Sequence, residues 1–230
     1  EQVMTVTGQA RVLDGKATAR DVVALMDEIK DLLRQLMQTR NSLTLPISGT
    51  GSAGMETCFV NLVEPGNSVL ILINGVFVLR MADVVGRLCA QVDTLEFEWG
   101  TPVVLEKVQA QLDRKRYDMV AVVHAETSTG VCNPIEAIAA LVKPSGALFV
   151  VDAVTSLGGM PVATDAWGAD ALYSGTQKCL SCPPGLAPLT FSERAVAKLL
   201  NRRTKVPNWY LDLSMIVAYW EGAQRTYHHT

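Results

Sequence analysis

The sequence has little that would tie it to a membrane or to nucleic acid. Its most apolar stretch, residues 68–78, is too short to span a bilayer and is broken by Asn74 and Gly75. Its 20 basic residues form no cluster, and the formal net charge is only −3. The electrostatic footprint of a phosphate-backbone binder is therefore missing, which excludes nucleic acid as an expected partner. No secretory leader, internal repeat or low-complexity segment is visible. Cysteine is sparse and odd in number: Cys58, Cys89, Cys132, Cys179 and Cys182. An odd, scattered set points to reduced thiols and a cytoplasmic setting. Cys179 and Cys182 make a C-x-x-C, but without a second pair or a nearby histidine neither a zinc site nor a redox pair is expected.

What is present is apolar, periodic and punctuated. Hydrophobic residues make up 49% and charged residues 19% of the 230, enough for one sizeable packed domain. Residues 20–38 carry apolar side chains on one helical face, with Thr18 or Asp21 as a possible cap. A short strand at 43–47 leads into Ser48-Gly49-Thr50-Gly51-Ser52-Ala53-Gly54, and a helix is expected over 55–62, stopped by Glu64-Pro65-Gly66. Strands then alternate with helices: 68–73, 91–96, 119–124 and 147–152 as strands, 77–89, 103–113 and 135–142 as helices. Two further strands are expected at 171–174 and 187–190, then a helix at 193–200. Continuous apolar strands separated by helices predict an α/β fold with a mainly parallel sheet flanked by helices. Ligands of such sheets sit beyond the carboxyl ends of the strands. That directs attention to 48–52, 74–77, 126–130, 152–156 and 174–178.

Three of these segments carry chemistry. Ser48-Gly49-Thr50-Gly51-Ser52 places glycines and a helix N-terminus together, which suits an anion such as phosphate, although alone it reads equally as a tight turn. It is neither a Walker A loop nor the spaced dinucleotide fingerprint. Asp152 ends a buried apolar strand, where a carboxylate needs a partner; it is either a helix cap or the counter-charge to a protonated ring nitrogen. Lys178 follows a strand and a glycine turn, where partial burial would favour a nucleophilic amine; in isolation it would read as a surface lysine. All three in this order on one sheet suit pyridoxal 5′-phosphate (PLP).

Four runs carry a resemblance. These are Ser48-Gly49-Thr50-Gly51-Ser52-Ala53-Gly54-Met55-Glu56, His124-Ala125-Glu126-Thr127-Ser128-Thr129-Gly130, Val151-Asp152-Ala153-Val154-Thr155-Ser156-Leu157-Gly158-Gly159 and Tyr173-Ser174-Gly175-Thr176-Gln177-Lys178. Together they resemble the class V aminotransferases of fold type I, and within them the alanine–glyoxylate (serine–pyruvate) group. The resemblance implies PLP as cofactor and transamination of alanine or serine with glyoxylate or pyruvate; the alternative is a PLP-binding scaffold with weak or no turnover. It implies that Lys178 forms the Schiff base and later shuttles the α-proton, and that Asp152 pairs with the pyridine nitrogen. Phe77 would stack on the ring and Val154 on its opposite face. Gly51 and Ser52 would hold the phosphate through backbone N–H groups, Gln177 would add a phosphate contact, and Thr127 would offer a hydroxyl at the ring edge. Tyr227 and Thr230, in Tyr227-His228-His229-Thr230, would reach a partner's phosphate, which implies a homodimer with shared sites. In a eukaryote the resemblance also allows a peroxisomal or mitochondrial setting.

The sequence departs from the family at its ends. Residues 1–20 read as a shortened N-terminal segment, 21–230 as the PLP-binding large domain, and the small C-terminal domain with its carboxylate-gripping arginine is not found. Arg11, Arg80 and Arg225 are candidates to replace that arginine. Val78-Leu79 stands where a glycine-containing pair is usual. A desulfurase chemistry is disfavoured, because Cys179 and Cys182 adjoin the lysine rather than a separate mobile loop.

Overall fold

The computed structural model describes residues 15–220. In chain order the elements are α1 (Gly15–Leu36), β1 (Thr44–Ser48), α2 (Gly51–Leu62), β2 (Ser68–Ile73), α3 (Val76–Arg87), β3 (Gln91–Glu96), α4 (Leu105–Arg114) and β4 (Met119–Val123). A small hairpin, β5 (Ala125–Glu126) and β6 (Val131–Cys132), follows, then α5 (Ile135–Ser145), β7 (Leu148–Asp152), α6 (Thr164–Trp167), β8 (Ala171–Tyr173), β9 (Leu186–Phe191), α7 (Glu193–Leu200) and α8 (Leu213–Trp220). Seven strands form one sheet in the order β1-β9-β8-β7-β4-β2-β3. From β8 to β3 every pairing is parallel, and β9 runs antiparallel to both of its neighbours. With β9 reversed between them, β1 and β8 point the same way. The carboxyl ends of β1, β8, β7, β4 and β2 therefore share one edge of the sheet.

Strand alternation divides the core in two. Val69, Ile71 and Ile73 of β2 with Ala121 and Val123 of β4 face one side, where Phe59 of α2, Met81 of α3 and Leu199 of α7 pack on them. Leu70, Leu72, Val120 and Val122 face the other side, against Val108 of α4 and Ile138 of α5. Strands buried on both faces have to be apolar throughout, which is why β2, β4 and β7 read as unbroken runs. The edge strand β3, half in solvent, keeps only two apolar residues, Val92 against one core and Leu95 against the other.

The expected α/β architecture is the one observed, and its differences have local causes. Helix α2 begins at Gly51, not at 55, so the glycine-rich run supplies the helix's first turn rather than a loop before it. That turn gives no amphipathic signal because most of the helix is buried, with Gly54 so close to the sheet that an added Cβ would lie 3.0 Å from the Ala187 Cβ. Helix α1 is already formed at Gly15, so Thr18 and Asp21 lie within it and do not begin it. Helix α5 runs past 142 to Ser145 and ends on Gly146, whose φ of 79° closes the turn in the left-handed region. The hairpin β5–β6 and the short helix α6 are too brief to show a period, and α8 is apolar without a polar face to mark it. Among the described residues no helix is long and apolar enough to cross a membrane.

Candidate active site

The site is built on a single rung of the sheet. Val123, Asp152 and Tyr173 stand side by side in the parallel register at the ends of β4, β7 and β8. Asp152 is buried, and its two oxygens are held by different donors. The Val154 N–H donates to Oδ1 at 2.7 Å, and the Tyr173 hydroxyl donates to Oδ2 at 2.7 Å. Among the described residues no cation bonds to it. Burial pushes the Asp152 carboxyl up to about 6 against the pull of these donors, and the negative charge of Glu126 adds to the rise. Burial, then the charge of Asp152, likewise drives the Tyr173 phenol well above its usual value, which keeps it a donor.

Around this rung the strand-end segments close a cavity of about 150 Å³. Gly51, Ser52, Phe77, Thr127, Asp152, Val154, Gln177 and Lys178 all line it. Thus each of the five segments singled out at the strand ends contributes at least one wall residue. Gly51 and Ser52 open α2, so their N–H groups have no intrahelical acceptor and point outward from the positive end of the helix dipole. Close packing holds this turn in place: a Cβ on Gly51 would lie 2.9 Å from the Val154 Cγ2, and one on Gly175 would lie 3.2 Å from the Gly51 nitrogen. Phe77 occupies the first turn of α3, with the Arg80 guanidinium 4.7 Å from its ring centroid. Thr127 shares a hydrogen bond with the Thr155 hydroxyl.

Lys178 is half-buried and lies on the return from β8 to β9. That return is fastened at both ends. The Ser174 N–H donates to the Pro188 carbonyl at 2.8 Å and its hydroxyl to the Ala153 carbonyl at 3.0 Å. The Thr176 hydroxyl donates to the Pro183 carbonyl at 2.8 Å. Cys179 and Cys182 follow as exposed thiols, with Cys179 donating to the Thr155 carbonyl at 3.1 Å.

Tyr227, Thr230, Arg11 and Arg225 lie outside the described residues. Arg80 lines the cavity. Tyr173 lies inside one of the resembling motifs, and the sequence alone assigns it no role. A polar-tipped residue in strand register beside a buried aspartate was the available signal, but the pairing of β7 with β8 had to be known first. Thr50, Met55, Val123, Ala125 and Thr155 also line the cavity; Thr50 and Thr155 lie within the expected strand-end segments, and the other three lie outside them.

The donor set fits PLP on structural grounds. A buried, cation-free carboxylate, a lysine amine and a helix N-terminus with free N–H groups share one small cavity, matching a cationic ring nitrogen, an aldehyde and a phosphate.

Comparison with known proteins agrees with this chemistry. The family model "Aminotransferase class-V" matches residues 7–207. Rat alanine–glyoxylate aminotransferase is 38% identical over 213 residues, covering 92% of this chain and 51% of that protein. The crystal structure of an alanine–glyoxylate aminotransferase from Nostoc sp. superposes with a TM-score of 0.89 at 50% identity, over 92% of this chain and 56% of that one. A ureidoglycine–glyoxylate aminotransferase from Bacillus subtilis superposes with a TM-score of 0.89 at 38% identity, over 92% and 55%. The chain spans about half the length of the curated relatives it matches. Class V aminotransferases are PLP-dependent enzymes of fold type I. On its sequence and its fold together, this chain belongs to the class V aminotransferase family.

Proposed function

We propose that the cavity holds PLP and that the protein transfers an amino group from a small amino acid, alanine or serine, to glyoxylate or pyruvate. The observation that carries this reading is the shared wall of Asp152, Lys178 and the α2 N-terminus. When bound, PLP supplies a ring that accepts the electron pair left at the amino acid's α-carbon. The residues of this chain supply the rest. Gly51 and Ser52 offer N–H groups to the phosphate, and Gln177 adds a side-chain contact. Asp152 holds the proton on the ring nitrogen, because a buried carboxylate without a cation is stabilised by acquiring one. Phe77 and Val154 cover the two ring faces and exclude water. Thr127 offers its hydroxyl at the ring edge. Lys178 binds the cofactor through its amine and then moves the proton at the substrate α-carbon.

Arg80 offers a guanidinium at the cavity wall for the substrate carboxylate. Tyr227 and Thr230 would complete the phosphate site of a second subunit, which makes the proposed working form a homodimer. The five unpaired cysteines support a reducing, cytoplasmic compartment.

The test is spectroscopic. With PLP added, the chain should develop a band at the edge of the visible that borohydride abolishes, and peptide mapping should then find the cofactor on Lys178. Absence of the band, or its persistence in Lys178→Ala, would overturn the assignment. Alanine or serine should then convert the band to that of the pyridoxamine form, and glyoxylate or pyruvate should restore it. A spectrum that ignores all four compounds would leave a cofactor-binding protein and sink the transaminase reading.

A further inference from the structure

Glu126 is buried in a strand of two residues, and its carboxylate is used on one side only. Oε1 accepts the Ser128 N–H at 3.0 Å and the Ser128 hydroxyl at 2.6 Å. Oε2 is buried with no hydrogen-bond partner among the described residues. A hydroxyl has one proton, and Ser128 gives it to Glu126. Its lone pairs are thereby turned outward, and one accepts the Val76 N–H at 3.0 Å. Val76 is the first residue of α3, and Phe77 is the second.

Helix α3 has no cap of its own. Gly75 has no side chain to offer at the N-cap, and the first turn has no acidic residue. Ser128 supplies the missing acceptor and Glu126 the missing negative charge, both from another element. The packing is equally close: a Cβ on Gly75 would lie 2.3 Å from the Glu126 Cγ, 2.5 Å from its Cδ and 2.7 Å from the Ser128 Oγ. The backbone that launches α3 thus rests directly on the Glu126–Ser128 pair.

We infer that Glu126 and Ser128 are positioning residues that fix the angle at which Phe77 meets the bound cofactor. This rests on the reading above that Phe77 covers the ring. Glu126 orients the serine hydroxyl, the hydroxyl anchors the helix, and the helix carries the aromatic ring to the cavity wall. Neither residue touches the reacting atoms.

Ser128 is the better probe, since it is exposed and uncharged, whereas altering Glu126 would also change the charge felt by Asp152. In the full chain without cofactor, amide exchange followed by NMR should quicken at Val76 and Phe77 in Ser128→Ala by about fivefold, the size of one lost helix cap. Ser128→Thr, which keeps the hydroxyl, should restore slow exchange. Unchanged exchange in Ser128→Ala would overturn the inference. With PLP, Ser128→Ala and Phe77→Ala should each weaken binding, and the double variant should bind no more weakly than Phe77→Ala alone. Additive losses would show that Ser128 acts independently of Phe77 and would equally overturn it. If the unaltered chain takes up no PLP, the proposed function fails, and the exchange comparison still decides this inference.

Discussion

The buried Asp152 makes the cofactor-free protein less stable as pH rises, and the size of the effect follows from its surroundings. Its carboxyl titrates near 6 in the folded chain, because burial outweighs the donors from Val154 and Tyr173, and near 4 once unfolded. Between those values the folded state holds a proton that the unfolded state has released, so stability falls with increasing pH. Two pH units at about 1.4 kcal/mol each amount to a loss of roughly 3 kcal/mol, complete above pH 6. Glu64 titrates in the opposite sense. Burial raises it, but amide donors from Thr204 and Arg203 prevail and hold it below its usual value, so its contribution is lost at acid pH. The useful quantity is therefore the difference between the native chain and Asp152→Asn. Urea unfolding of both, from pH 4 to pH 8, should show the native chain losing stability relative to the variant through pH 4–6 and a constant gap above. Parallel pH profiles would refute the assignment of a raised titration to Asp152.

Three further outcomes follow from the same geometry. PLP affinity should fall by about tenfold per pH unit below 6, because Asp152 must then shed a proton to pair with the ring; fluorescence titration at pH 5 and pH 7 would show it. Phe77→Ala should weaken PLP binding by about tenfold and lower urea stability by less than the roughly 3–5 kcal/mol of a fully buried phenylalanine, since the ring is only partly buried, packing on the core and lining the cavity. Gly75→Ala should destabilise the chain by about 1–3 kcal/mol in the same urea assay, because its methyl would overlap the buried Glu126 side chain.

Much of the fold was legible because the central strands are buried on both faces. The runs that became β2, β4 and β7 had no other reading, and β2 and β3 fell at the expected residues. The start of α2 was not legible: a glycine-rich turn pressed against the sheet has no periodicity to reveal that it is helical. Site legibility followed the same divide. Gly51 and Lys178 follow strands and Asp152 ends one, at the sheet edge where topology alone says that ligands bind, and all three line the cavity. Tyr173, Glu126 and Ser128 act through contacts that exist only after β8 is placed beside β7, or the hairpin beside α3. No spacing in the chain announces such contacts.

The two-ended fastening of the return that carries Lys178 has a thermodynamic consequence. A lysine on a loose loop would have to immobilise its own backbone each time it took up a ligand, at about 1–2 kcal/mol per residue ordered. Here Ser174 and Thr176 have already spent that entropy during folding, and the Ser181 N–H donates to the Lys178 carbonyl at 2.9 Å to close the turn behind it. For the proposed cofactor capture, what remains to be ordered is the four-carbon side chain, so Lys178 is preorganised up to its Cα and adaptable beyond it.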